Sequence, residues 1–266
     1  MVRPLRDPII SPDPLIWVRD WALEPDFCEH VVAKFQAEDE DNIYQGKTGF
    51  PPRLNPIKSS RDLGIDCHEH WIEEANVFRN TLRVALQEYV NHVQSHIVLP
   101  TYDHNNQPTY AQFPMCDGGG ISDIVDYGFQ IQETQPYNYY DWHEDSLVNY
   151  NARHVRLLTY IYYLNDIYED GCTEFYNGFK VPPRQGRLII FPATWTYLHR
   201  GGILHGTQNK YIATGWMCRD SSREEEFLQQ DGEVIEENTE LHDEDIDELL
   251  YEPPTEGEST LETILQ

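Results

Sequence analysis

The chain has 266 residues, 39% of them hydrophobic, with 46 acidic against 19 basic side chains and a formal charge of −27. That is enough for one sizeable domain with appendages, and an acidic balance without a basic stripe disfavours a nucleic-acid partner. From Asp220 onward 18 acidic residues face a single basic one, so −17 of the charge lies in the C-terminal segment.

At the N-terminus there is no basic n-region followed by an apolar h-region, and no apolar run is long enough to span a bilayer. The expectation is a soluble cytoplasmic protein without membrane contact. Cys28, Cys67, Cys116, Cys172 and Cys218 are odd in number and lack C-x-x-C pairing, which fits reduced thiols.

In chain order, Ile9 to Val18 is Pro-punctuated and apolar and predicts an extended edge strand. Pro25 and Asp26 then mark a helix start, with Phe27, Val31, Val32 and Phe35 at helical spacing. Asp39 to Ser60, broken by Gly46, Gly49, Pro51, Pro52 and Pro56, reads as a loop over the site. From about His70 to Val93 the residues Trp71, Ala75, Phe78, Leu82, Ala85, Tyr89 and Val93 form one apolar stripe, predicting a helix buried against a sheet. Pro100 to Asp126 is irregular and is expected to be a substrate-facing lid. After Gly128 short strand-like segments recur about every ten residues, which indicates an antiparallel barrel or sandwich. Beyond Arg219 the acidic runs predict a flexible or partner-binding tail, with a short helix near Ile246 to Tyr251.

The chemistry concentrates between Tyr137 and Cys218. In YYDWHEDSL, His143 and Asp145 stand two apart, which in an extended strand puts both on one face. With a later histidine they compose the two-histidine, one-carboxylate set of non-haem Fe(II) oxygenases. His199 and His205 compete for that third position. Eleven residues from His199 to Lys210 allow a strand, a turn and a return strand, whereas five from His205 leave no room, so His199 is preferred. Lys210, with Ile212, Thr214 and Trp216 on its face, is expected to point into a barrel interior, where an ammonium needs an anion. Cys67, His68, Glu69 and His70 adjoin a helix start without a spaced partner set and read as surface residues.

The ordered motifs H-x-D, YLND with its GCTEF turn, GRLIIFP, YLH and KYIATGW resemble the Fe(II)/2-oxoglutarate dioxygenases, most closely the prolyl 4-hydroxylase branch with its small bacterial and phage-type members. The match covers roughly Phe129 to Cys218, about a third of the chain. The resemblance implies a mainly β fold, a double-stranded β-helix or cupin-type jelly roll with N-terminal helices packed outside. Residues 1–219 would form the dioxygenase domain (helical support 1–127, jelly-roll core 128–219) and 220–266 the tail. It implies Fe(II) on His143, Asp145 and His199, and 2-oxoglutarate on Lys210 assisted by Thr159. Ascorbate would serve as reductant. Tyr140 and Trp216 are candidates for the substrate pocket. The family's tyrosine nine residues before the first histidine is here Thr134.

The function so implied is hydroxylation of a protein or peptide, prolyl 4-hydroxylase-like, coupled to decarboxylation of 2-oxoglutarate to succinate. Hydroxylation of a small molecule or nucleobase is the alternative. A non-catalytic jelly roll for binding or assembly is a third reading, disfavoured by the joint presence of all four site residues.

Overall fold

The computed structural model describes residues 9–48, 53–111, 124–146 and 154–220. The first half of the chain runs β1 (Trp17–Arg19), α1 (Pro25–Gln36), β2 (Tyr44–Gln45), β3 (Lys47–Thr48), β4 (Arg53–Leu54), β5 (Arg61–Gly64), α2 (Ile72–His96), β6 (Leu99–Tyr102) and β7 (Pro108–Ala111). Among the described residues the second half is mainly strand, with one short 3-10 turn at Trp195–Tyr197: β8 (Ile124–Asp126), β9 (Gln130–Thr134), β10 (Tyr140–His143), β11 (His154–Tyr163), β12 (Thr173–Phe175), β13 (Lys180–Val181), β14 (Leu188–Pro192), β15 (His199–Gly201) and β16 (Lys210–Asp220).

Two antiparallel sheets make the jelly roll. The larger has eight strands in the order β1-β14-β11-β16-β9-β5-β2, with β8 also on β16, and the smaller runs β10-β15-β12-β13. The run LIIFP in β14 lacks polar alternation because it is buried on both faces. Leu188 and Ile190 join the core beneath the helices, while Ile189 and Phe191 meet Phe175 and Val181 of the smaller sheet. β11 divides likewise: Leu158, Tyr160 and Tyr162 face the helices, and Ile161 and Tyr163 face inward.

Both helices pack on the outside of the larger sheet. Pro25 begins α1 with Asp26 in its first turn, and Cys28, Val31 and Phe35 are its buried stripe. The predicted α2 stripe is buried, joined by Leu86 and Val90. Phe78 sits at its centre, with ring centroids 5.2 Å from Phe27, 5.4 Å from Phe129 and 5.5 Å from Tyr162. The helices are also tied to each other by Glu74, which meets Lys34 at 2.7 Å and His30 at 2.6 Å.

Three expectations need correction. The extended strand begins at Trp17 rather than Ile9, because Pro12 and Pro14 lack the N–H that a ladder needs and Asp13 to Ile16 form a turn. It is nevertheless an edge strand, paired only with β14 along the sheet order. Asp39 to Ser60 is not a plain loop but contains β2, β3 and β4. Pro100 to Asp126 contains the β6–β7 hairpin and then β8; Pro100 and Pro108 are tolerated because that hairpin is a separate two-stranded sheet. Residues 112–123 of this stretch and all residues after Asp220, including the expected short helix, lie outside the described residues. Among the described residues no helix is long and apolar enough to cross a membrane.

Candidate metal and co-substrate site

The site forms between the two sheets, in a cavity of about 650 Å³. His143 ends β10 and pairs in register with His199, which begins β15, so antiparallel pairing brings the two imidazoles to a centroid distance of 4.2 Å. Asp145 follows two residues later, beyond the strand. Its Oδ1 lies 3.8 Å from His143 Nε2 and its Oδ2 3.5 Å from His199 Nε2. Ligand atoms of these three residues lie within 4.8 Å of one another, the one such cluster among the described residues.

The protonation pattern suits a cation. His143 Nδ1 is 2.7 Å from the Asp141 carbonyl and His199 Nδ1 is 3.0 Å from the Tyr197 carbonyl. A carbonyl only accepts, so both Nδ1 atoms donate and both Nε2 lone pairs are free to ligate. Burial, with His199 alongside, pushes His143 down to about 4 and keeps it neutral. Asp145 stays ionised: burial raises its pKa, but His199, His143 and the Thr159 hydroxyl together hold it below the usual carboxylate value.

At the far end of the cavity lies Lys210, 5% exposed, at the start of β16. Its Nζ donates to the Gly171 carbonyl at 3.1 Å, and no carboxylate among the described residues bonds it. Burial lowers this ammonium to about 8. Gly201 lies beside the Lys210 ammonium, a Cβ there being in ordinary contact with Nζ at 3.5 Å. Thr173 is the register partner of Gly201 and lines the cavity, and the Tyr163 hydroxyl donates to Thr173 Oγ1 at 2.6 Å. With its oxygen already accepting, the Thr173 hydroxyl has its own proton to offer an anion.

The other predicted residues fall as follows. Tyr140 stacks on His143 at 3.5 Å between centroids, and Trp216 carries the Arg156 guanidinium over its ring at 3.4 Å; both line the cavity. Ile212 and Thr214 line it too, as their shared face with Lys210 requires. Thr134 pairs in register with Lys210. Thr159 lines the cavity at the metal end, where its hydroxyl donates to Asp145 Oδ2 at 2.7 Å. His205 is exposed on the connection before β16 and takes no part in the cluster. Cys67 is exposed, and His70 pairs with Glu38 at 2.9 Å rather than with a metal set.

Sequence reading missed Thr173, Tyr163, Arg156 and Lys58. Lys58 is buried against Asp62 at 2.7 Å and sits 5.2 Å from the Tyr140 ring, at a cavity wall supplied by the N-terminal half of the chain. The only local signal was the Thr in GCTEF directly after the turn.

Residues 129–218 match the sequence model of the 2OG-Fe(II) oxygenase superfamily. That match spans about a third of the chain; the fold and the ligand cluster point the same way, toward a 2-oxoglutarate-dependent dioxygenase, a class that uses Fe(II) and 2-oxoglutarate. Solved prolyl hydroxylases share this fold. The chain superposes on a prolyl hydroxylase in complex with a hypoxia inducible factor oxygen degradation domain peptide fragment from Trichoplax adhaerens, with a TM-score of 0.53 and 16% identity, covering 79% of this chain and 85% of that one. A Pseudomonas putida prolyl-4-hydroxylase gives a TM-score of 0.50 and 16% identity, covering 77% and 92%. At that identity the likeness is one of fold. No curated protein matches the chain by sequence.

Proposed function

We propose that the protein is an Fe(II)- and 2-oxoglutarate-dependent hydroxylase of a peptide or protein, with a prolyl side chain as the first candidate target. The observation that carries this reading is the buried Lys210 ammonium, bonded to no carboxylate among the described residues and attracted only at longer range by Asp170, in the same cavity as His143, Asp145 and His199. An interior cation of that kind needs an anion, and a dicarboxylate reaching from the metal to Lys210 supplies one. The two free Nε2 atoms and one carboxylate likewise fit Fe(II) and leave coordination positions for other ligands.

When bound, Fe(II) and 2-oxoglutarate would supply the oxidation with dioxygen as the oxidant, one oxygen atom going to 2-oxoglutarate as it loses carbon dioxide to become succinate and the other into a substrate C–H bond. The chain's own residues do the rest. His143, Asp145 and His199 hold the metal, with Asp141 and Tyr197 carbonyls fixing the imidazole tautomers. Lys210 and the Thr173 hydroxyl, oriented by Tyr163, receive the distal carboxylate. Tyr140 and the Arg156–Trp216 stack are flat walls against which a substrate ring is oriented and from which water is excluded. Ascorbate serves as the reductant that keeps the metal ferrous.

Support for a peptide comes from the peptide-bound T. adhaerens enzyme of the same fold. Cys67, Cys172 and Cys218 form no disulfide among the described residues, which supports a reducing, cytoplasmic setting. Residues 1–219 are proposed as the catalytic domain, with the acidic segment after it as a dispensable, partner-binding tail. The test is succinate formation with Fe(II) and ascorbate. Proline-containing peptides are expected to raise it above the uncoupled rate and to gain one oxygen atom, and free proline and nucleosides are not. Coupled turnover with a nucleoside or a free amino acid, and with no peptide, would shift the reading to a small-molecule hydroxylase.

A further inference from the structure

Asp145 has the least backbone support of the three candidate ligands. His143 and His199 stand on paired strands, but β10 ends at His143, and residues 144–146 belong to no helix or strand. Some other contact must hold the carboxylate in place before a cation arrives. Among the described residues two side chains hydrogen-bond Asp145, one at its carboxylate and one at its backbone, and both come from β11. Thr159 Oγ1 donates to Asp145 Oδ2 at 2.7 Å, and Arg156 Nη1 donates to the Asp145 carbonyl at 3.3 Å.

These two residues are three apart, so in a regular strand they would point to opposite faces. The register explains why they do not. Arg156 pairs with Cys218 and Leu158 with Met217, so β11 advances two residues while β16 advances one, and Leu157 is the extra residue of a bulge. The bulge turns Arg156 to the cavity side, where it stacks on Trp216, the register partner of Thr159. Side chain and backbone of Asp145 are thus gripped from one strand.

We propose that Thr159 and Arg156, aligned by the β11 bulge, are positioning residues that preset Asp145 as a metal ligand, and that Thr159 serves the metal rather than the distal carboxylate of the co-substrate. The distribution of groups along the cavity agrees. Thr159 is level with Trp216 on β16, six residues from Lys210, whereas Thr173 is level with Gly201, beside the Lys210 ammonium. The inference rests on the proposed metal site and is tested without turnover.

The experiment is titration of the full-length, metal-free protein with Co(II), together with the KM for 2-oxoglutarate at saturating Fe(II). Thr159→Val keeps the shape and removes the donor, and its Co(II) dissociation constant is expected to rise about tenfold or more. Thr159→Ser restores the hydroxyl and is expected to recover near wild-type affinity. Arg156→Gln shortens the backbone grip and gives a smaller loss. The KM for 2-oxoglutarate stays near wild type in Thr159→Val; the metal-free protein melts somewhat lower, because a buried carboxylate loses a donor, but remains folded at the titration temperature. Wild-type Co(II) affinity in Thr159→Val, or a raised KM for 2-oxoglutarate with metal affinity intact, would overturn the proposal. A wild-type protein that binds no Co(II) would instead overturn the metal site itself, a distinct result.

Discussion

The two ends of the cavity are built differently. The Lys210 end hangs on an 11-residue strand, β16, which is hydrogen-bonded to β11 on one side and to β9 and β8 on the other. Ladders on both sides fix where the lysine enters, and side-chain ties are secondary. The metal end stands on β10, a four-residue strand at the margin of the smaller sheet. There the position of each group depends on particular contacts: the carbonyls of Asp141 and Tyr197, the Thr159 hydroxyl, and the segment at Ile57 to Ser59. That segment bonds the free edge of β10, with Ser59 N–H donating to the Tyr139 carbonyl and Asp141 N–H to the Ile57 carbonyl. A central strand positions by its backbone, while a marginal one borrows rigidity from its neighbours.

The largest expected effects are at the metal end. His143→Ala, Asp145→Ala or His199→Ala is expected to abolish metal binding and turnover, whereas His205→Ala binds metal normally; equilibrium dialysis against Fe(II) or Co(II) reads this directly. Loss of metal in His205→Ala with retention in His199→Ala would reverse the assignment.

Next comes the other end. Lys210→Ala removes a charged hydrogen bond of about 1.5–3 kcal/mol, so the KM for 2-oxoglutarate is expected to rise roughly 10- to 100-fold while metal affinity is kept. If Lys210→Ala loses metal as well, the two ends are not independent and the contrast drawn above is broken.

A pH series sharpens the same contrast. The ammonium of Lys210 is present below about 8 and lost as pH rises through that value, so the KM for 2-oxoglutarate should increase on the alkaline side. Bound anion moves the turning point upward. For stability the sign is opposite: between the folded value and the ordinary lysine value the unfolded chain binds more protons, so the metal-free protein gains stability from this group as pH rises. A flat KM across that range would mean that Lys210 does not face the anion.

The smallest expected effect is that of removing everything after Asp220: unchanged melting and unchanged uncoupled succinate formation, measured side by side with the full chain. A fall in either would make the acidic segment part of the domain.

Much of this was legible from local pattern. The α2 stripe, the strands from β9 to β16 and the placing of His199 rather than His205 beside His143 and Asp145 all follow from periodicity and turn spacing, which act over a few residues. Thr159 illustrates the limit. Resemblance put it with the co-substrate, but its level in the sheet, and hence its partner, is a matter of register between β11 and β16, more than fifty residues apart. The β6–β7 hairpin was hidden for a similar reason, since two prolines masked a pairing that only an isolated ribbon can accept.

The sequence by itself therefore determined which residues are chemically able to act: two histidines, a carboxylate and an interior lysine in an order that only strand, turn and return strand can bring together. Tertiary structure alone decided what surrounds them. The bulge at Leu157 that turns Arg156 inward, the pairing of Thr173 with Gly201 beside Lys210, and the approach of Lys58 to Tyr140 across some eighty residues all depend on register between distant strands. Register is set by how the whole core packs, because a slip of one residue sends every side chain to the opposite face, and no short stretch of sequence encodes that choice.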